Sequence, residues 1–136
     1  VESSASTLLR EMLPGLISNN YKLIEQNKLQ ANYWRKRSKA DGVIDWRMSA
    51  KSIFNLVKAL TKPYPGAEFV YKSEVIKVWS TELVNTSISD CIEPGKVVEV
   101  KQGLPTIRCQ NGAIRLLKWN PSITFSVGEY LPVNGC

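Results

Sequence analysis

Hydrophobic residues near the start of the chain recur every three or four positions, the spacing of a single helix face. The large apolar side chains on this face are Leu8, Leu9, Met12, Leu13, Leu16 and Ile17. The pattern predicts a helix over residues 3–18, with a serine at position 3, 4 or 6 as its N-cap. Pro14 lacks a backbone N–H, so we expect it to kink or divide this helix.

A second apolar stripe predicts a helix over residues 49–61. Ser49 is a good N-cap, and Pro63 stops the helix at its other end. The stripe itself consists of Ile53, Leu56, Val57 and Leu60. Between the two helices, residues 20–47 are mostly polar and without period, which is typical of an extended connector; we predict a turn at Asp41-Gly42.

From residue 68 onward, short runs rich in Val, Ile, Phe, Tyr and Trp alternate with turn residues, which predicts strands. The predicted strands are residues 68–72, 75–84, 97–101, 104–110 and 113–119. Asn111-Gly112 is a strong hairpin signal between the last two. We expect residues 120–136 to form a final loop with one short strand. The predicted fold class is therefore α+β: an N-terminal helix and connector, one further helix, then a small open β-barrel.

Composition excludes several kinds of chemistry. The 136 residues include no histidine, which removes imidazole general-base chemistry and histidine-containing zinc sites from this chain. The three cysteines, Cys91, Cys109 and Cys136, are too sparse for a disulfide framework and suggest a reducing compartment. No apolar run approaches the ~20 residues that span a bilayer, and Arg10 and Glu11 interrupt the leucine-rich start. We therefore expect a cytoplasmic protein without a metal or membrane site.

The net charge of +6 is concentrated in one segment: residues 28–62 hold nine Lys and Arg against two acids. Basic segments attract phosphates, although a solvated surface is the simpler explanation for a small patch. Tyr33 and Trp34 precede three cations, a combination suited to stacking and phosphate contact. The candidate substrate- or phosphate-binding residues are Arg35, Lys36, Arg37, Lys58 and Lys62.

No catalytic residue is predicted. Asp41 and Asp45 are the only acids in the basic segment, and nothing suggests the shifted pKa values that paired catalytic carboxylates need. Asp45 lies shortly before the helix that begins near Ser49, so we interpret it as a hydrogen-bond acceptor for exposed amides. Four aromatic residues are interpreted as structural anchors: Trp34, Trp46, Tyr64 and Trp79.

Several motifs, in order, resemble the C-terminal domain of formyltransferases. The first are Tyr33-Trp34-Arg35-Lys36-Arg37, Asp41-Gly42-Val43-Ile44-Asp45-Trp46, Ser49-Ala50 and Asn55-Leu56-Val57-Lys58-Ala59-Leu60. The later ones are Pro63-Tyr64-Pro65-Gly66-Ala67, Ile76-Lys77-Val78-Trp79, Pro94-Gly95-Lys96-Val97 and Cys109-Gln110-Asn111-Gly112-Ala113-Ile114-Arg115-Leu116-Leu117. The resemblance covers roughly residues 30–119.

The resemblance implies that the chain has two parts and that the catalytic residues belong to a preceding domain. Residues 1–32 would hold the last helix of a preceding catalytic domain and a connector, and residues 33–136 a barrel of the oligonucleotide-binding type. In that family an N-terminal Rossmann-like domain binds 10-formyltetrahydrofolate and carries a catalytic Asn, His and Asp. None of those residues has a counterpart here. The chain is thus expected to be inactive alone and to hold no cofactor itself.

The formyl acceptor and the partners follow from the same resemblance. Tyr64 stands where the methionyl-tRNA enzymes more often place tryptophan, which favours enzymes that formylate amino sugars on nucleotide carriers. The alternatives are the tRNA-binding domain of a methionyl-tRNA formyltransferase, a stand-alone nucleic-acid module, or a domain that only stabilises a partner. Expected partners are a catalytic domain, a nucleotide-sugar or tRNA, and a second copy bound through the apolar helix; docking of that helix across the barrel is the alternative to self-association.

Overall fold

The computed structural model describes residues 2–85 and 91–133. Cys136, one of the three cysteines considered above, lies outside these ranges. The chain divides into two compact units, Val1–Arg35 and Lys36–Cys136. This division falls three residues after the boundary predicted from the sequence.

The first unit contains the predicted N-terminal helix, α1, at Glu2–Ile17. The helix continues through Pro14. Asn19 follows its last turn with a positive φ of 56°, the left-handed conformation typical of a helix end. Pro14 therefore does not divide the helix. Ser18 donates from both its backbone N and its hydroxyl to the Pro14 carbonyl, which satisfies an acceptor of the last turn. A short 3₁₀ helix at Lys28–Gln30 follows.

The second unit opens with a 3₁₀ helix at Lys39–Gly42, where the turn at Asp41-Gly42 was predicted, and continues into α2 at Ala50–Leu60. The Ser49 hydroxyl accepts a 3.0 Å hydrogen bond from the backbone N of Ser52, which confirms the predicted N-cap. Ile53 and Val57 are fully buried along the apolar stripe. One face of α2 thus packs against the core, and the opposite face is exposed to solvent.

Five antiparallel strands form one sheet in the order β1-β2-β5-β4-β3. Their bounds are β1 Ala67–Tyr71, β2 Glu74–Val84, β3 Val97–Lys101, β4 Leu104–Arg108 and β5 Ala113–Asn120. Each agrees with a predicted strand to within two residues. Since β1 and β3 are the outer strands, the sheet is open, and the predicted α+β class is confirmed. The more specific oligonucleotide-binding type of barrel stays a prediction.

A double irregularity interrupts the pairing of β2 with β5. Val78 pairs with Trp119, Ser80 with Lys118 and Thr81 with Leu116, so the register shifts on either side of Ser80. Such bulges twist a strand and redirect the side chains beside them. Here the redirected side chain is Trp79.

The core of the second unit is formed by buried residues of α2, of the sheet and of the segments before and after them. Trp46 is completely buried and meets Phe69 edge-on, with 5.2 Å between the ring centroids. The ring of Phe125, in the final loop, makes tilted contacts with Phe69 and Tyr71 and an edge-on contact with Trp119. The loop also contributes one isolated bridge, Lys96 with Tyr130, where a short strand was expected. Among the described residues no helix is long and apolar enough to cross a membrane.

Candidate functional site

Two of the cavities beside α2 in the second unit differ in charge. The larger has a volume of about 730 Å³, with an apolar wall from Leu56, Leu60, Tyr64 and Pro65. Its charged lining residues are Arg37, Lys39, Asp41, Glu68 and Lys77. We call it the ion-paired cavity, because each of these charged groups has an opposite charge nearby.

Glu68 is the centre of the ion-paired cavity. Its carboxylate lies 2.9 Å from Lys77 Nζ and 3.5 Å from Lys39 Nζ, although the Glu68 side chain is only 10% exposed. Burial alone would raise the pKa of Glu68, but the hydrogen bond and charge of Lys77, with Lys39 beside it, hold this pKa below its ordinary value. Glu68 is therefore ionised at neutral pH and neutralises part of the local positive charge.

The two aspartates of the basic segment also neutralise nearby cations. Asp41 lies 3.7 Å from Arg37 and accepts a 2.7 Å hydrogen bond from the backbone N of Ser38. Asp45 accepts from both the backbone N and the guanidinium of Arg47, and the side-chain hydrogen bond chiefly lowers the pKa of Asp45. Both aspartates thus act as local acceptors, as was predicted for Asp45.

The smaller cavity, of about 460 Å³, has no acidic lining residue. Phe54 and Val57 from α2 form its apolar floor, and the rest of its lining consists of Lys58, Thr61, Trp79, Ser80 and Thr81. We call it the lysine cavity. Lys62 Nζ lies 5.6 Å from the centroid of the Trp79 ring, and the backbone of Gly66 packs against the other end of that ring.

No group of three metal-ligating side chains occurs within residues 2–85 and 91–133. Cys109 is fully buried, and burial raises its pKa to about 12, so the thiol is uncharged and unreactive at neutral pH. Cys91 is exposed at the surface.

A protein-family model for the formyl transferase C-terminal domain matches residues 36–124. The chain belongs to this family. The match begins at the residue where the second compact unit begins, which places the family's domain in that unit.

Among solved structures, this formyl transferase C-terminal domain is similar to HypX from Aquifex aeolicus. A multiply substituted HypX variant and HypX in complex with tetrahydrofolic acid both give a TM-score of 0.58 at 18% identity, covering 79% of this chain. A doubly substituted variant gives 0.57 at the same identity and coverage. At 18% identity this likeness establishes the fold. The chain spans only 18% of the HypX chain in these matches.

The predicted phosphate-binding residues of this formyl transferase C-terminal domain fall in both compact units, and those of the second unit lie at different cavities. Arg35 ends the first compact unit and Lys36 begins the second. Arg37 lines the ion-paired cavity, whereas Lys58 lines the lysine cavity and Lys62 stacks on Trp79 beside it. Their binding role stays a prediction.

The four predicted anchors differ widely in burial. Trp46 is fully buried and Trp79 half-buried, whereas Tyr64 is 61% and Trp34 81% exposed. The indole N–H of Trp34 donates to the neighbouring Asn32 side chain, at 3.1 Å. The anchoring role of these residues stays a prediction.

Sequence reasoning missed the pairing of Glu68 with Lys77 and the contribution of Ser80. The first had a usable signal, because a tight turn at residues 72–73 sets Glu68 opposite Lys77 across the β1–β2 hairpin. Ser80 had none, since its position depends on where the register of β2 and β5 shifts.

Proposed function

We propose that this chain is the non-catalytic C-terminal domain of a 10-formyltetrahydrofolate-dependent formyltransferase that formylates an amino sugar on a nucleotide carrier. The observation that carries the proposal is the family match over residues 36–124 in a chain without histidine. The catalytic groups and the folate site would belong to a separate catalytic domain, the principal partner of this chain in the cytoplasm.

The distribution of charge supports a small acceptor over tRNA. Binding a nucleic-acid backbone uses cations that are free to displace counterions from several phosphates. In the basic segment, Arg37 is paired with Asp41, Lys39 with Glu68, and Arg47 with Asp45. Three of the nine Lys and Arg in residues 28–62 are therefore paired locally, and Lys58 lies beside a concave cavity of a size suited to small molecules.

Formyl transfer tests the non-catalytic part of the proposal. The isolated chain is incubated with 10-formyltetrahydrofolate and either a nucleotide-linked amino sugar or methionyl-tRNA, and formylated product is measured by mass spectrometry. We expect no product from either acceptor, because no imidazole is present to move the proton. Turnover by the isolated chain would overturn the proposal.

A salt titration tests the acceptor. The second candidate, a tRNA-binding domain, has the excess of cations in residues 28–62 in its favour. If tRNA is the ligand, its affinity falls steeply and linearly with log salt, with a slope near −0.9 per phosphate neutralised. We expect weak association with a slope no steeper than about −2. A steep slope with submicromolar binding at low salt would establish the tRNA-binding alternative.

A further inference from the structure

We propose that the lysine cavity binds a free nucleoside diphosphate, with the base against Trp79 and the diphosphate at Lys58 and Lys62. The proposal deepens the function proposed above and rests on it for the source of the ligand, the nucleotide carrier of the amino sugar. The cavity is lined by Phe54, Val57, Lys58, Thr61, Trp79, Ser80 and Thr81.

Several polar groups around this cavity are not used by the protein itself, whereas the Thr61 hydroxyl is bonded to the Trp79 carbonyl. Lys58 Nζ has no ion pair, and neither the Ser80 hydroxyl nor the Trp79 indole N–H makes a hydrogen bond within residues 2–85 and 91–133. The ion-paired cavity is different, because every charged group there has a partner of opposite sign. An anion entering the lysine cavity would meet unpaired donors and no carboxylate.

The aromatic rings of Trp79 and Phe54 favour a ligand that has a planar group beside its anionic group. Trp79 is half-buried at the bulge of β2, where Gly66 and Lys62 hold its ring in place, and Phe54 contributes a second ring to the floor. Stacking of a base on an aromatic side chain is worth about 1–3 kcal/mol per base. A ring against Trp79 and a phosphate group at Lys58 are therefore the two parts of one ligand, a nucleotide.

Fixed geometry around Trp79 favours a preformed site. Gly66 has φ of +85°, and a Cβ at this position would lie 3.0 Å from two ring carbons of Trp79. Thr61 also donates from its hydroxyl to the Trp79 carbonyl at 3.1 Å, which ties the end of α2 to the bulge. Because α2 and the bulge are linked, the backbone positions that carry Lys58 and Trp79 are set without a ligand, which lowers the entropic cost of binding.

The experiment is calorimetric titration of the chain with UDP and TDP, with inorganic pyrophosphate and a short single-stranded RNA as comparison ligands. We expect saturable binding of a nucleoside diphosphate, weakened about tenfold in Lys58→Gln, because a charge-assisted hydrogen bond is lost. Lys28→Gln is the matched control, since it removes the same charge from the first unit, and it should leave the affinity unchanged. Lys58 is exposed, so its replacement does not threaten folding.

A second measurement places the base. In spectra of uniformly ¹⁵N-labelled protein, the indole N–H resonance of Trp79, assigned with Trp79→Phe, should shift on adding UDP or TDP and not on adding pyrophosphate. The inference would be overturned by pyrophosphate binding as tightly as the nucleoside diphosphates, or by RNA being the only ligand that binds. Equal affinities of Lys58→Gln and Lys28→Gln, or no binding of UDP and TDP at millimolar concentration, would overturn it as well. None of these outcomes depends on formyl transfer, so failure here is distinguishable from turnover by the isolated chain.

Discussion

The Tyr71 hydroxyl donates a 2.8 Å hydrogen bond to Glu129 Oε2, which joins the end of β1 to a residue 58 positions further along the chain. The same carboxylate accepts from the backbone N of Ser126 at 2.9 Å and lies 3.3 Å from Lys72 Nζ. Glu129 thus holds the final loop against the β1–β2 hairpin. This loop carries Phe125 into the core, so its attachment contributes to the packing of the whole second unit.

Replacing Glu129 with Gln should lower the melting temperature near neutral pH and remove a pH-dependent part of the stability. The hydrogen bond from the Ser126 backbone and that from Tyr71, with Lys72 nearby, lower the pKa of Glu129. The contribution of the Glu129 carboxylate to the free energy of unfolding is therefore complete above the ordinary glutamate pKa of about 4.3. It is lost as the pH falls through the lower pKa of the folded state. The gap in melting temperature between wild type and Glu129→Gln should close on acidification.

Glu93→Gln is the matched control for this measurement, because Glu93 is exposed and makes no hydrogen bond or ion pair within the described residues. It should melt within about a degree of wild type at every pH, as expected for a surface change away from specific contacts. If the gap between wild type and Glu129→Gln stays constant with pH, the carboxylate charge does not hold the loop.

Trp46 should tolerate replacement by Phe far better than by Ala. Its indole Nε1 is buried and has no hydrogen-bond partner within residues 2–85 and 91–133, so the Trp46→Phe change removes an unsatisfied donor while keeping a ring against Phe69. Trp46→Ala leaves a cavity and should cost about 3–5 kcal/mol of unfolding free energy. We expect Trp46→Phe to lose less than half as much in urea denaturation. Equal losses would mean that the N–H has a hydrogen-bond partner in solution.

Gly95→Ala should destabilise the second unit more than Gly103→Ala does. Both glycines have positive φ, +92° and +78°, so each substitution carries the left-handed penalty of about 1–2 kcal/mol. Only at Gly95 would the added Cβ meet backbone, 2.6 Å from the Leu131 carbonyl oxygen, whereas nothing lies within 4 Å at Gly103. Equal unfolding free energies for the two variants would show that the loop carrying Leu131 moves aside at little cost.

The helices and strands were predictable because their signals are local. Ser49 and Pro63 bound the stripe that became α2, and the glycine of Asn111-Gly112 adopts φ of +80° between β4 and β5. The order of strands was not predictable in this way. It places β5 between β2 and β4, and that arrangement depends on contacts between residues far apart in sequence.

The candidate site was predictable only in its residue types. The excess of Lys and Arg in residues 28–62 indicated phosphate binding, and Lys58 does line a cavity without acids. However, a linear count of charges does not show that Glu68, outside the segment, neutralises Lys39 inside it. Nor does it show that the bulge at Ser80 brings Trp79 beside Lys58, because a register shift has no local signal in the sequence.

The apolar face of α1 should drive self-association of the chain. Leu9 is 56%, Leu13 46% and Leu16 47% exposed, and burial of each such side chain is worth about 1.5–3 kcal/mol. We expect the wild-type chain to sediment as a dimer or larger species. Replacing these three leucines with Glu should give monomers that keep the β signal in circular dichroism, since the sheet lies in the other compact unit.

The control for the leucine variant carries Glu at Ser3, Ser4 and Ser6, which adds the same three charges to α1 without removing an apolar side chain. Acidic residues are favourable in the first turn of a helix, so the helix should persist and the chain should still associate. If the control still associates and the leucine variant is monomeric, the contact between copies of the chain is made by the apolar face of α1. A wild-type chain that sediments as a monomer at all concentrations contradicts the prediction of self-association and favours its alternative, docking of the helix across the barrel.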